Sequence, residues 1–250
     1  MNSPSENMYI DHLSYGYVNT LILHDISWRI RPGEIWVVLG PNGGGKRTLL
    51  KCLARQLKVK SGMIRWDQTA IDRFSHKSWA QRMSYLPQKL VFTMPYTVSQ
   101  VLSLSSGCAP CDPMRISEAV HRFSLEKLYS QSVLTLSGGE LQRLLLASVQ
   151  VQACPVVCLD EPFNFLDPAY VDQVVSWLED LSVQGRTLIL VVHEWNWLVC
   201  SRLGRIAKAL LIKKGAVFFE GAFGQALDQF DTFFERSFKQ VKVGEQTLVF

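Results

Sequence analysis

The sequence lacks a long hydrophobic run, although 48% of its 250 residues are hydrophobic and only 19% are charged. No apolar stretch reaches the roughly 18 residues that a membrane-spanning helix needs. The segment TLILVV at 187–192 has the length of a buried strand. The first residues show no basic start followed by an apolar stretch, so no secretory signal is expected. Composition therefore predicts a globular chain and argues against disorder.

The chain also lacks internal repeats, long low-complexity linkers and a second C-x-x-C pair. A structural zinc site needs four ligands, so the single pair Cys108 and Cys111 favours an ordinary loop; a metal or redox role stays open. The other cysteines stand in apolar contexts such as ACPVVCL and are typical of small core residues. The net charge of +4 suits an anionic ligand or a membrane surface without identifying either.

What is present is a series of apolar strands that alternate with helical patterns. EIWVVLG at 34–40 is a continuous apolar run ending in glycine, and TLLKCLARQLK at 48–58 carries leucines at helical spacing. The remaining strand signals are PVVCLDEP at 155–162, RTLILVVHE at 186–194 and the hairpin pattern KALLIKKGAVFFEG at 208–221, which turns around Lys214 and Gly215. This alternation predicts an α/β fold with a parallel sheet covered by helices.

A glycine-rich loop joins the first of these strands to the helix that follows it. Glycines let a backbone wrap closely around phosphate oxygens, and the N–H groups of a helix N-terminus favour an anion. The pattern G-x-x-x-x-G-K is typical of a phosphate-binding loop. We therefore expect nucleotide binding by Gly40, Pro41, Asn42, Gly43, Gly44, Gly45, Lys46, Arg47 and Thr48.

Arg47 stands where this pattern requires Ser or Thr, whose hydroxyl holds Mg²⁺. An arginine has no acceptor and keeps its positive charge, so it cannot coordinate the metal. The guanidinium could grip phosphate oxygens, or it could turn to solvent while water and another ligand hold a weakened metal. Alternatively, the chain could hydrolyse poorly, or the residue could be a laboratory or sequencing change. Thr48 still offers a hydroxyl for phosphate.

Other strand and helix ends also carry polar residues that suit phosphate chemistry. Asp160 and Glu161 follow one apolar strand, His193 follows another, and LSGGELQR at 136–143 opens a leucine-rich helix. Each has an ordinary explanation when taken alone: a solvated turn, a structural histidine or a helix cap. Their order along one chain is hard to attribute to chance.

In this order, the motifs resemble those of the ATP-binding subunit of an ABC transporter, over nearly the whole chain. GPNGGGK looks like the Walker A loop, YLPQ at 85–88 like the Q-loop, and LSGGELQR like the family signature. VVCLDEP looks like Walker B, NFLDP at 164–168 like the D-loop, and VVHE like the H-loop. Tyr17 sits where the family places an aromatic residue that stacks on adenine.

The resemblance implies an ABC cassette, which is a P-loop NTPase fold with a parallel-sheet core, an antiparallel β subdomain and an inserted helical subdomain. A single ATP-binding domain would then cover residues 1–250. Its ATP-binding core would comprise 1–88 and 151–221, its helical signature subdomain 89–150, and its C-terminal tail 222–250.

The resemblance also implies a dimer of subunits that face each other head to tail and sandwich two ATP molecules. Asp160 and Gln88 would hold Mg²⁺, Glu161 would polarise the attacking water, and His193 would contact the γ-phosphate. Gln88 would also sense the γ-phosphate and pass closure to a membrane partner, while Asp167 would cross the dimer interface. Each ATP would meet the partner's signature residues, here Leu136, Ser137, Gly138, Gly139 and Glu140.

The kind of transporter is indicated by two segments. FTMPYTVSQVLSL at 92–104 resembles a stretch of importers of iron chelates, haem and cobalamin, and the C-terminal FFERSFKQVKVGEQTLVF is similar to their tail. The G-R-x-P often found after that stretch is missing, and LDEPFNFLD blends features of this group with those of zinc and manganese importers. The resemblance thus implies an ATPase that powers an importer of iron chelate, haem, cobalamin or a related metal compound.

Alternatives stay open at this point. A zinc or manganese importer ATPase, a regulatory nucleotide-binding subunit with impaired hydrolysis, and a non-transport interaction protein remain. The single set of motifs disfavours fused double cassettes that act on ribosomes, and the absence of a long coiled coil disfavours chromosome and repair ATPases. The partners would be integral membrane permease subunits, a second copy of the chain and, indirectly, an external binding protein, with no nucleic acid. We expect peripheral attachment at the cytoplasmic face of the cell membrane.

Overall fold

The computed structural model describes residues 7–17, 20–59, 61–107, 112–235, 240–243 and 246–249. The chain divides into two compact units, of which the first takes in Met1–Arg73 and Val175–Phe250 and the second Phe74–Val174. The pair Cys108 and Cys111 lies outside the described residues. The domain bounds expected from the family resemblance stay a prediction.

The first unit contains an antiparallel sheet with the strand order β2-β1-β4-β5. In β1, buried residues alternate with less buried ones, as expected for a strand with one face on the core. The strands are β1 (Met8–Tyr17), β2 (Thr20–Ile30), β4 (Ser61–Trp66) and β5 (Thr69–Ala70).

The first unit also contains four strands that pair in the order β10-β9-β3-β8. They are β3 (Ile35–Leu39), β8 (Thr187–Val191), β9 (Lys208–Lys213) and β10 (Ala216–Ala222). β3 pairs in parallel with both β8 and β9, while β9 and β10 form an antiparallel hairpin. Every residue of β3 and β8 is buried, which is why both strands read as unbroken apolar runs. The strands and the hairpin predicted from these segments are confirmed.

The first helix of this unit, α1 (Lys46–Leu53), is shorter than the predicted range 48–58. Arg55 has a left-handed φ of 58°, which a helix cannot continue through, so the prediction of its end was wrong. The other helices described in the first unit are short, and a C-terminal strand pair follows them. They are α7 (Asn196–Cys200), α8 (Arg202–Ile206), α9 (Phe223–Leu227) and α10 (Phe230–Phe234), with β11 (Gln240–Val243) and β12 (Gln246–Val249).

The second unit contains the parallel pair β6 (Met83–Leu86) and β7 (Val156–Asp160). The described part of residues 89–150 is mainly helical, as the sequence predicts. Among the residues that the structure describes, no helix is both long enough and apolar enough to cross a membrane. The helices are α2 (His76–Ala80), α3 (Val98–Ser105), α4 (Pro113–Arg122), α5 (Gly138–Gln152) and α6 (Pro168–Val183), of which α6 ends in the first unit.

Candidate functional site

The phosphate-binding loop predicted from the sequence lies between β3 and α1. Gly43 and Gly45 have φ angles of 75° and 101°, a region that residues with a side chain rarely adopt. A Cβ atom on Gly40 would lie 2.1 Å from the carbonyl oxygen of Ile212, and one on Gly44 would lie 3.1 Å from the same oxygen. The glycines therefore let the loop run directly against β9.

Lys46, the first residue of α1, is the buried cation of this loop. Its Nζ donates to the carbonyl oxygen of Gly40 at 2.6 Å and to that of Pro41 at 3.1 Å. The first N–H groups of an α-helix have no partner within the helix, and this end carries partial positive charge. The ammonium and the helix N-terminus together favour the binding of a phosphate group.

The other residues of the loop differ in exposure. Asn42, Gly43 and Arg47 are exposed, whereas Pro41 and Thr48 are half-buried. Arg47 is the second residue of α1, so its positive charge stands at the positive end of the helix dipole. The guanidinium has no lone pair for a metal, so this position supplies no Mg²⁺ ligand.

The turn of the β9–β10 hairpin contacts the phosphate-binding loop, which the sequence did not predict. The backbone N–H of Gly215 donates to the carbonyl oxygen of Gly44 at 3.1 Å, and its own carbonyl accepts from the N–H of His24 at 2.8 Å. The sequence signalled only a turn at Gly215. Its contact with the loop depends on the pairing of β9 with β3.

Two further predicted residues of the first unit lie at the ends of strands. Tyr17 is the last residue of β1 and is 47% exposed. Its ring lies at 85° to the ring of Tyr15, with 5.3 Å between the ring centroids, and its exposed part offers an aromatic surface for stacking. His193 follows β8 and is exposed.

In the second unit, one predicted carboxylate is at the end of β7 and the other follows directly after it. Asp160 is the last residue of the strand, and both Asp160 and the following Glu161 are buried. Glu161 has a left-handed φ of 57°, so the chain turns sharply as soon as the strand ends. A buried carboxylate stays charged only where neighbouring groups stabilise it.

Asn164 binds Glu161 through both its backbone and its side chain. Its Nδ2 donates to Oε2 of Glu161 at 2.8 Å, and its N–H donates to the Glu161 carbonyl oxygen at 3.3 Å. The segment of Asn164 was assigned to the D-loop by resemblance, but the contact with Glu161 was not predicted. A polar residue three positions after a carboxylate is the only signal that the sequence carries for it.

Four of the five predicted signature residues, Ser137 to Glu140, form the N-terminus of α5. Ser137 caps this helix, because its Oγ accepts from the N–H of Glu140 at 3.4 Å and Oε2 of Glu140 accepts from the N–H of Ser137 at 2.8 Å. This reciprocal capping box satisfies two N–H groups at once. The hydrogen bonds from the backbone and the side chain of Ser137 lower the pKa of Glu140.

The two signature glycines let the loop after β7 approach the start of α5. A Cβ on Gly139 would lie 2.9 Å from the carbonyl oxygen of Phe165, and one on Gly138 would lie 3.4 Å from its ring. One turn further along α5, the buried Nε2 of Gln142 donates to the carbonyl oxygen of Pro162 at 2.8 Å. The structure thus brings the signature helix and the segment after Glu161 together within the second unit.

Arg143 is a second polar residue on the buried side of α5. Its Nη1 donates to the carbonyl oxygens of Phe123 and Ser124, at 2.9 Å each, and its guanidinium lies 4.3 Å from the ring centroid of Tyr170. Polar side chains within an apolar helix such as LQRLLLASV are the signal that could have indicated Gln142 and Arg143.

Three predicted site residues of the second unit lie outside this set of contacts. Gln88 is half-buried in the segment after β6, and Leu136 is half-buried just before the signature helix. The Oδ1 of Asp167 accepts from the N–H of Tyr170 at 3.0 Å, which caps the start of α6. Asp167 therefore has a structural role in its own chain.

The side chains predicted to hold Mg²⁺ offer oxygen ligands, which this ion prefers. Asp160 supplies a carboxylate and Gln88 an amide oxygen. In the part of the chain that the structure describes, His, Cys, Asp and Glu side chains form no group of three or more that could hold a metal ion. Magnesium usually keeps several waters and binds through one or two carboxylates together with phosphate oxygens. The donor chemistry therefore fits the ion.

The sequence is similar to a known protein family over more than half of its length. The profile of the family described as "ABC transporter" matches residues 23–164. This range takes in the phosphate-binding loop, the signature helix and both carboxylates that follow β7.

Individual relatives match over most of their length. The chain is 32% identical over 206 residues to the hemin import ATP-binding protein HmuV of Pseudomonas aeruginosa, which covers 78% of this chain and 80% of that protein. It is 31% identical over 220 residues to the iron(3+)-hydroxamate import ATP-binding protein FhuC of Bacillus subtilis, which covers 84% of this chain and 80% of that protein.

Solved structures share the fold. The chain superposes with a TM-score of 0.79 on a structure described as the ATP binding subunit of an ABC transporter, at 20% identity over 90% of this chain and 94% of the other. The TM-score is 0.73 for cbiO1 of Clostridium perfringens, at 26% identity over 92% of this chain and 93% of the other. The predicted combination of parallel sheet, antiparallel β subdomain and helical subdomain is confirmed.

Proposed function

This chain belongs to the ABC transporter family, and we propose that it is the ATP-binding and ATP-hydrolysing subunit that powers an importer of an iron chelate, haem or a related metal compound. The observation that carries the ATP-binding part is the buried Lys46 on a glycine-rich loop that leads from β3 into α1. The relatives that import hemin and iron(3+)-hydroxamate support the substrate class. They do not favour the zinc or manganese alternative.

In the first unit, we assign the nucleotide to the phosphate-binding loop. Lys46 and the backbone N–H groups of the loop would hold the β- and γ-phosphates, because they combine a buried positive charge with N–H groups that the helix leaves unpaired. Tyr17 would stack on the adenine, Thr48 would offer its hydroxyl to phosphate, and His193 would contact the γ-phosphate. These residues bind and orient ATP; phosphoryl transfer asks little covalent chemistry of a protein.

In the second unit, we assign the metal and the attacking water to the end of β7. Asp160 and Gln88 would hold Mg²⁺, which neutralises charge on phosphate oxygens when it is bound. Glu161 would polarise the attacking water. Its burial limits competing contacts with solvent, so the orientation of its carboxylate depends on the protein.

We further propose that two copies of the chain face each other head to tail. The signature residues of one copy, Leu136 to Glu140, would then meet the nucleotide of the other copy, and Asp167 would lie at the interface. Membrane permease subunits would be the partners, with an external binding protein acting indirectly, and the chain would be peripheral at the cytoplasmic face of the membrane. The exposed N-terminus of α5 supports the contact between the signature residues of one copy and the nucleotide of the other, because its N–H groups favour an anion.

Two variants test the proposal. Lys46→Ala should weaken the binding of a fluorescent ATP analogue, because it removes the buried cation of the loop. Glu161→Gln should abolish turnover while it keeps ATP bound, so gel filtration with ATP should show a stable dimer. Equal nucleotide affinity of Lys46→Ala and the unmodified chain would contradict the binding site. Hydrolysis by Glu161→Gln at the unmodified rate would remove Glu161 from the catalytic role.

A further inference from the structure

The segment between β7 and α6 contains two residues in the left-handed region of backbone space. Glu161 has a φ of 57° and Phe165 a φ of 65°. Such angles are unfavourable for residues other than glycine and persist only where surrounding contacts enforce them. Strained backbone of this kind concentrates at functional sites. The contacts that hold this segment therefore bear on what Glu161 can do.

The outer contacts fix the backbone of the segment to the signature helix. Gln142 donates to the carbonyl oxygen of Pro162, the residue directly after Glu161, from a buried position. The carbonyl group of Phe165 occupies the space where Gly139 has no side chain. Two points of the backbone are thus set by α5, one on either side of Asn164.

The inner contact fixes the side chain of Glu161. Asn164 Nδ2 lies 2.8 Å from Oε2 of Glu161, which is a good hydrogen-bond distance for an amide that donates to a carboxylate. The last torsion of a glutamate is otherwise broad and poorly defined. The side-chain amide of Asn164 does not act as a base at neutral pH. It therefore orients the Glu161 carboxylate without competing with it for a proton of the attacking water.

We propose that Asn164 is a positioning residue for ATP hydrolysis, because its side-chain amide holds the Glu161 carboxylate in the orientation needed to polarise the attacking water. This inference rests on the proposed function, in which Glu161 acts on that water. Asn164 acts only through Glu161. Its loss should therefore lower kcat and leave nucleotide binding unchanged, as expected for an interaction that matters in the transition state.

The test compares two substitutions of Asn164. Asn164→Ala removes the donor, and Asn164→Asp keeps the size of the side chain but faces the Glu161 carboxylate with a second one. Both should lower kcat for ATP by at least about tenfold, as expected when a charged group loses an orienting hydrogen bond. The KM for ATP and the affinity for a fluorescent ATP analogue should stay within about twofold, which is the split expected of a transition-state interaction.

Gln173→Ala is the matched control, since Gln173 donates its side-chain amide to the carbonyl oxygen of Arg122 in the same unit but does not contact Glu161 in any of the hydrogen bonds described. It should leave kcat within about twofold, because the hydrogen bond that it removes does not involve Glu161. A second readout is binding: Asn164→Ala combined with Glu161→Gln should still form the ATP-bound dimer on gel filtration, because Asn164 has no part in holding ATP.

Each outcome decides one question. Unchanged kcat in both Asn164 variants would overturn the inference, as would loss of the ATP-bound dimer in the double variant. A loss of kcat that Gln173→Ala shares to the same extent would also overturn it, because the effect would then be structural. If Asn164→Ala does not fold, the equally sized Asn164→Asp decides alone. Full activity of Glu161→Gln would instead refute the proposed role of Glu161, which is a separate result.

Discussion

Gly215 donates its backbone N–H to the carbonyl oxygen of Gly44 at 3.1 Å, so the turn of the β9–β10 hairpin is hydrogen-bonded to the phosphate-binding loop. The φ of Gly215 is 78°, and a Cβ there would lie 2.0 Å from the carbonyl oxygen of Ile22. Only glycine fits at this position without moving either the hairpin or β2. The shape of the phosphate-binding loop thus depends on a residue outside its sequence motif.

We expect Gly215→Ala to destabilise the chain and to weaken ATP binding. Left-handed strain and the clash with Ile22 should together cost roughly 1–3 kcal/mol of unfolding free energy. The affinity for ATP should fall as well, because relief of the clash moves the turn away from Gly44. Urea unfolding and titration with a fluorescent ATP analogue measure the two effects.

Gly224→Ala is the control for this prediction. Gly224 lies in α9, and a Cβ there meets no atom within 4 Å. Alanine should leave stability unchanged or raise it by up to about 1 kcal/mol, because it reduces the entropy of the unfolded chain. Equal unfolding curves for Gly215→Ala and the unmodified chain would show that the turn accommodates a side chain. The inference that the shape of the phosphate-binding loop depends on glycine at position 215 would then be wrong.

The sequence predicts the parts of the site that depend on local pattern. The apolar runs before Gly40, Asp160 and His193 are strands because burial on both faces demands continuous apolar residues. The glycine-lysine pattern places the loop at a helix N-terminus. By contrast, the predicted end of α1 was wrong by several residues. The helix stops before Arg55, which has a left-handed φ, and no helix-breaking residue in the sequence signals this stop.

Contacts between segments distant in sequence could not be predicted. Gln142 donates to Pro162, which lies 20 positions further along the sequence. Gly215 contacts Gly44 because β9, which precedes Gly215, pairs with β3, which precedes Gly44. Neither contact follows from a propensity or a period; each needs the register of paired strands and the packing of α5. Asn164 is closer to Glu161, but its orientation depends on a backbone that α5 holds in place.

Glu34 connects three segments of the first unit through its carboxylate. Oε2 accepts from the N–H of Arg31 at 3.0 Å and from Nε1 of Trp36 at 2.8 Å, and Oε1 accepts from Nζ of Lys208 at 2.6 Å. Burial by itself raises the pKa of Glu34, but these donors outweigh it and hold the pKa below its ordinary value. The charged form is therefore favoured by the fold.

We expect Glu34→Gln to lower stability at neutral pH by on the order of 1–3 kcal/mol, the typical worth of hydrogen bonds to a charged group. A pKa that is lower in the folded chain contributes stability above the unfolded pKa and loses it as the pH falls through the folded pKa. The difference between Glu34→Gln and the unmodified chain should therefore shrink below about pH 4.3, the ordinary glutamate value. Urea unfolding from pH 7 to pH 3 measures this difference.

Glu118→Gln serves as the comparison, since Glu118 is exposed on α4. Its effect should stay within about 0.5 kcal/mol, as for most surface substitutions. If Glu34→Gln behaves like Glu118→Gln at every pH, the charge of Glu34 contributes nothing to folding.

Arg47 places a permanent positive charge at the start of α1, where the motif calls for a metal ligand. Its side chain is exposed, and its charge opposes the helix dipole at a cost of about 0.3–1 kcal/mol. At a separation of about 5 Å, repulsion between this charge and a divalent cation amounts to roughly 1–2 kcal/mol at the permittivity of water, and to more in a closed site. Both the lost ligand and the added charge should weaken Mg²⁺ binding.

We therefore expect Arg47→Ser to raise the ATPase rate at low Mg²⁺ by at least about tenfold, since about 1.4 kcal/mol corresponds to that factor. Serine restores an oxygen ligand and removes the repulsion. In EDTA the same change should lower the affinity for ATP, because the guanidinium adds to the charge that Lys46 offers to phosphate. Without the metal, that positive charge is an advantage.

The measurement is the ATPase rate as a function of Mg²⁺ concentration for the unmodified chain, Arg47→Ser and Arg47→Lys, with ATP affinity in EDTA measured on the same three proteins. Arg47→Lys keeps the charge and supplies no oxygen, so its Mg²⁺ curve should stay close to that of the unmodified chain. A gain shared by the lysine and serine variants would assign the effect to the shape of the guanidinium and not to its charge. Coincidence of all three curves would show that the residue after Lys46 has no part in metal binding. The departure from the motif would then have no mechanistic consequence.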